Sequence, residues 1–205
     1  MSENINGLIK GIISTKKLTG AEEFKVAEDS PLAAADILDY WSWAYSDIVG
    51  NTNRGALAEF IVARAIGSEA AVRNDWAAYD LETPSGIKVE VKSSAYLQSW
   101  HQTTVSAPSF SIRKAKEWSP ETNEFGEERL RHSDVYVFCL LAYKGDKRLL
   151  DPLDLSQWEF YVVKTSEIDR IFGERSSISI NRVKDLSLAY SVDGLMDAVE
   201  AAYSA

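Results

Sequence analysis

The segment Ile87-Lys-Val-Glu-Val-Lys-Ser93 alternates apolar and charged residues. On a strand, residues two apart share a face, so Glu90 and Lys92 point the same way while Ile87, Val89 and Val91 point the other. Upstream, Trp76 to Leu81 reads as a second strand, and Thr83-Pro-Ser-Gly86 between the two reads as a hairpin turn. A register with Glu82 opposite Lys88 puts Asp80 opposite Glu90, and sets Leu81 and Tyr79 against Val89 and Val91 on the apolar face. Both faces are then chemically consistent. The two carboxylates would have β-carbons about 4.5–5.5 Å apart, a like-charge pairing that destabilises the hairpin unless a cation relieves it. Mg²⁺ meets that need with octahedral oxygen coordination, and Mn²⁺ is expected to substitute for it. Asp80 and Glu90 holding Mg²⁺, with Lys92 beside them, suit phosphodiester hydrolysis. The metal polarises a phosphate oxygen and helps ionise a water, and Lys92 positions that water or stabilises developing charge.

The elements that must position these residues follow from the flanking pattern. Residues 1–29 are polar apart from an amphipathic stretch at Leu8 to Ile13 and predict a weakly specified helix or lead-in. Ser30 and Pro31 suit the N-cap and first position of a helix of roughly five turns that continues to Gly50. A second helix over Gly55 to Ile66, stopped by Gly67, is apolar nearly all round and predicts packing on more than one side. Its one acid, Glu59, has no cation three or four residues away, so it either leans into water or points toward the metal. Beyond the hairpin, Gln98 to Phe110 suggests a third strand, and residues 113–133 a short helix and exposed loop. Asp134 to Tyr143 is a buried strand and Trp158 to Val163 another. A short helix capped by Thr165 or Ser166, a small strand at Ile178 to Ile180 and a last helix near Gly194 to Ala202 complete the chain.

With an aspartate near the end of one strand, an acid-x-lysine on the next and a glutamate on the helix before them, the chain resembles the PD-(D/E)XK nuclease superfamily. The residues that carry the resemblance are Asp80, Glu90-Val91-Lys92 and Glu59, and it covers about residues 51–165. Tyr79 stands where that family often has proline, and Gln98 is followed four residues later by Gln102 instead of the tyrosine of exonuclease-type members. The resemblance implies a three-layer α/β restriction-endonuclease-like fold, with a mixed central sheet flanked by helices. The expected division is an N-terminal helical extension over 1–50 and a nuclease domain over 51–205. It further implies Mg²⁺-dependent endonucleolytic hydrolysis of DNA, as in restriction and defence enzymes. Asp80, Glu90, Lys92 and Glu59 would be catalytic, with the three acids as metal ligands and a homodimer as the working form. Two other readings stand beside it: a non-catalytic module that keeps the fold and binds nucleic acid or protein, and a junction resolvase differing in substrate shape.

Composition sets the outer bounds. The 205 residues suit one domain, and the 45% hydrophobic content with five prolines is that of a globular chain. A lone cysteine, Cys139, lies in the apolar run Val135 to Ala142, which excludes an intrachain disulfide and a multi-thiolate zinc site. No stretch resembles a signal peptide or approaches the ~20 apolar residues of a membrane span, so a cytoplasmic protein is expected. The net charge of −9 argues against non-specific coating of nucleic acid, which depends on Lys and Arg, but not against a site whose metal supplies positive charge. Ser94 shares the face of Lys92 and, with Gln98, is a candidate phosphate contact, as are Arg113, Lys114 and Lys116 with Arg129 and Arg131 further on. Glu117, Glu121, Glu124, Glu127 and Glu128 interleave with those bases, so an ion-paired surface fits that stretch equally well. Trp100 and Trp118 could stack on bases or fill a core. His101 and His132 have no nucleophile beside them and receive no role.

Overall fold

A computed structural model describes residues 15–69 and 72–205, and the amphipathic stretch expected at Leu8 to Ile13 lies outside them. The first described helix, α1, spans Ile37–Tyr45. It starts later than its sequence suggests because Asp36, not Ser30, caps it: the Asp36 side chain accepts from the Asp39 N–H while the Asp39 carboxylate accepts from the Asp36 N–H. Ser30 and Leu32 sit instead in successive turns. No residue of α1 is buried, and Leu38 and Trp43 lie exposed.

Helix α2 spans Asn51–Ala65, so the polar Asn51–Asn53 cluster forms its first turn instead of preceding it. Gly67, at φ +66°, follows its end in the left-handed region that glycine adopts freely. The helix buries one side, through Ala58, Ile61 and Val62, and leaves Phe60 62% exposed, so it is not enclosed on several sides.

Four strands make the main sheet: β1 (Leu81–Glu82), β2 (Lys88–Ala95), β6 (Val135–Leu141) and β7 (Trp158–Lys164), in the order β1-β2-β6-β7. The β1–β2 and β6–β7 pairs are antiparallel and β2–β6 is parallel, so the sheet is mixed. Every residue of β6 is buried because both of its faces are covered. Val135, Val137, Cys139 and Leu141 meet α2 and the C-terminal helix α5 (Leu195–Ser204) on one side. Tyr136, Phe138 and Leu140 meet α3 (Thr165–Phe172) and α4 (Ile180–Lys184) on the other. Each large apolar side chain buried this way contributes about 1.5–3 kcal/mol, so the β6–β7 centre anchors both core clusters.

The crossover from β2 to β6 carries short strands and no helix. β3 (Ser109–Ser111) pairs with β8 (Ser177–Ser179) outside the main sheet, and β4 (Trp118–Ser119) pairs with β5 (Glu124–Phe125). The hairpin replaces the helix expected within 113–133; Asn123, at φ 60°, turns the chain between its strands. Lys164 stands at the N-cap of α3, and neither Thr165 nor Ser166 caps it. Among the described residues no helix is long and apolar enough to cross a membrane.

Candidate active site

The β1–β2 register pairs Leu81 with Val89 and Glu82 with Lys88, the pairing that alternation favoured. Strand pairing stops there, and Trp76 to Tyr79 form turns and bends in place of a longer strand. Asp80 bridges the break. Its N–H donates to the Val89 carbonyl at 3.2 Å, and its carboxylate Oδ2 accepts the Val91 N–H at 2.7 Å, so the side chain continues the edge of β2 where backbone runs out. Tyr79 does not join the apolar core; its hydroxyl donates to Glu82 at 2.7 Å.

Lys92 Nζ forms an ion pair with Glu90 and lies 3.7 Å from Asp80 Oδ2. All three side chains are between 19% and 28% exposed, neither in bulk water nor sealed in the core. Burial holds the Glu90 carboxyl above the usual carboxylate range; Lys92 opposes the shift, and Asp80 and Glu59 add to it. Burial pulls the Lys92 ammonium down, but Asp80, Glu90 and Glu59 together outweigh it and leave it above an ordinary lysine. The cluster therefore combines a carboxylate that resists its charge with a cation held in the charged form.

Glu59, on α2, is turned to Arg73, whose guanidinium contacts both of its carboxylate oxygens, one of them through Nη2 at 2.8 Å. Arg73 also pairs with Asp75. Glu59, Arg73 and Asp80 line one groove of about 820 Å³ together with Tyr79, Phe60 and Val72. Among the described residues no three histidine, cysteine or acidic side chains are grouped to hold a metal ion. The two carboxylates of Asp80 and Glu90 nevertheless fit Mg²⁺, which uses one or two protein carboxylates and fills its remaining positions with water and substrate phosphate.

The candidate nucleic-acid contacts divide. Ser94 and Gln98 are buried and line a separate polar pocket. Lys114 is bonded to Glu174 at 2.6 Å, whereas Arg113 and Lys116 are exposed. Arg131 is not a surface base: it is buried, paired with Asp169, and donates to the carbonyls of Ile112, Gly173 and Arg175. Trp118 packs against Trp76, with ring centroids 5.4 Å apart, and Trp100 is exposed. His132 bonds the Ala115 carbonyl at 2.8 Å, and Cys139 is a sealed core residue whose thiol burial pushes up. Sequence reasoning missed two arginines. Arg73 meets Glu59 across a loop with no local pattern, and Arg54 reads as an ordinary helix-surface charge until its burial is seen.

Residues 36–182 match the model of the family described as bacteriophage T4 endonuclease IV. The chain belongs to that endonuclease IV family. The matched span contains Glu59, Asp80, Glu90 and Lys92. No curated protein matches the chain. Among solved structures, a bacterial homing endonuclease, I-Ssp6803I, is similar over 63% of this chain and 76% of that chain, with 20% identity and a TM-score of 0.34.

Proposed function

We propose that this member of the endonuclease IV family is a Mg²⁺-dependent DNA endonuclease of the PD-(D/E)XK type, built on a restriction-endonuclease-like sheet. The observation that carries the reading is the hairpin register, which sets Asp80 beside Glu90 and brings Lys92 against both. Asp80 and Glu90 would hold the metal, which when bound would polarise a phosphate oxygen and lower the pKa of a water. Asp80 would be held for that task by the Val91 N–H, which bonds one of its carboxylate oxygens. Lys92, paired with two acids, acts as an ammonium that donates to negative charge developing on the phosphate oxygens. Glu59, which Arg73 engages, would be the third acid available to the metal. The homodimer that the resemblance implies would use the exposed apolar residues of α1, and light scattering reads its mass.

The second reading, a module that keeps the fold and binds without cutting, is favoured by Glu59 being engaged by Arg73 and by the lack of a three-ligand group among the described residues. One experiment separates them. Supercoiled plasmid, linear duplex and single-stranded DNA are incubated with Mg²⁺ or Mn²⁺ and the native chain, Asp80→Ala or Lys92→Ala. Metal-dependent cleavage that vanishes in both variants supports the endonuclease. Absence of cleavage, with no metal-linked rise in melting temperature, supports the binding module.

A further inference from the structure

Arg54, in the opening turns of α2, is 3% exposed, yet every acceptor it meets is neutral. Its Nε donates to Ser93 Oγ at 3.3 Å, Nη1 to the Val49 carbonyl at 2.9 Å and to Gln98 Oε1 at 3.5 Å, and Nη2 to Asn51 Oδ1 at 2.7 Å. A guanidinium carries five N–H donors, so one proton of Nη2 has no acceptor among the described residues. Nor does Arg54 form an ion pair with any of them. Burial without a counter-charge is unfavourable for a cation, and it pulls this guanidinium below its ordinary pKa. The other buried arginine, Arg131, shows the usual answer: its fold supplies Asp169.

Beside Arg54 lies a pocket of about 310 Å³ whose lining holds no acid. Ser93, Ser94, Gln98, Ser106 and Ser109 line it with hydroxyls and an amide, the side-chain types that contact phosphate oxygens. Asn51 and Arg54 bring in the N-terminal end of α2, whose dipole favours an anion. Ser93 and Ser94 directly follow Lys92, so the pocket begins roughly 3–7 Å further along the same strand.

We propose that this pocket holds one uncut phosphate of the DNA strand, with Arg54 supplying the positive charge, so that a neighbouring phosphodiester is set at Asp80, Glu90 and Lys92. The inference rests on the nuclease reading of that site. It assigns Arg54 as a positioning residue: it grips the strand beside the scissile bond and does not touch the reacting atoms.

The test scans a short oligodeoxynucleotide with a single neutral methylphosphonate at each position in turn. Binding is measured by fluorescence anisotropy to the full-length Asp80→Asn chain, with and without Arg54→Met. One position is expected to weaken binding about ten-fold when Arg54 is present and to have no effect when it is Met. Ser109→Glu, which sets an acid at the pocket mouth, is expected to abolish the same position's effect while melting no lower than the native chain; this keeps the test sound if Arg54→Met folds poorly. DNA that is bound and cut with no position depending on Arg54 overturns the inference and leaves the nuclease reading standing. Inorganic phosphate that raises the melting temperature of the native chain but not of Arg54→Met, with no such strand position, overturns the strand assignment in favour of a free phosphate ligand. A native chain that neither binds nor cuts DNA overturns the nuclease reading and the strand assignment with it.

Discussion

Arg131 and the Asp80–Glu90–Lys92 cluster are two places where this chain withdraws charge from water, and they are finished differently. At Arg131 the account is closed within the fold: Asp169 supplies the opposite charge, and the carbonyls of Ile112, Gly173 and Arg175 take further N–H groups. Arg131 thereby ties the crossover to α3. At the β1–β2 edge two carboxylates share a single lysine, Glu90 resists its own charge, and Asp80 faces a groove. A cation or a phosphate arriving there has unmet charge to act on. Charge answered inside the chain serves stability, and charge left open serves a ligand. Arg54 belongs with the second kind although its burial resembles the first.

Substitutions can break that comparison, and the largest effect is expected at the open site. Asp80→Asn keeps an oxygen for the Val91 N–H but removes the charge, so cleavage should fall on the order of 10²–10³-fold while the melting temperature holds, read by plasmid nicking and calorimetry on one preparation. Arg131→Met should do the opposite. It strands the buried Ile112 carbonyl and two half-buried ones, and should cost about 2–4 kcal/mol in urea unfolding, with the rate per folded molecule unchanged. Equal losses of rate and stability in both variants would erase the distinction. Arg73→Ala sharpens it further: freeing Glu59 should tighten metal binding by at most about 1 kcal/mol, because Arg73 is half exposed, and the metal-linked shift in melting temperature should grow accordingly. Least of all should change in Lys114→Ala. Its partner Glu174 is 84% exposed, so the unfolding midpoint should scarcely move and DNA affinity should hold.

What could be read in advance was what depends on period and turn chemistry. The register at Asp80 and Glu90 was legible because alternation over Ile87 to Ser93 and the Pro-Gly turn each favour the same pairing, and a one-residue slip would bury Glu90 and expose Val89. The buried strand at Val135 to Leu141 was legible from its unbroken apolar run. The start of α1 was not, because apolar residues continue through Leu32 and the capping box uses Asp39 where glutamate or glutamine is usual. The β4–β5 hairpin has two residues per strand, too few to show a period among so many charges. Glu59 looked free because its partner is not a helical neighbour: Arg73 lies 14 residues away across a loop. Helix pattern alone cannot distinguish a buried arginine from an exposed one, which hid Arg54.

Lys92 offers the most direct test of the central claim, since among the described residues it is the one cation paired with both carboxylates. The measurement is single-turnover cleavage of end-labelled DNA by native chain and Lys92→Met at matched Mg²⁺, with circular dichroism confirming that both are folded. The account predicts Mg²⁺-dependent cleavage by the native chain and a folded Lys92→Met slower by about 10²-fold or more. A folded Lys92→Met that cuts at the native rate would contradict it.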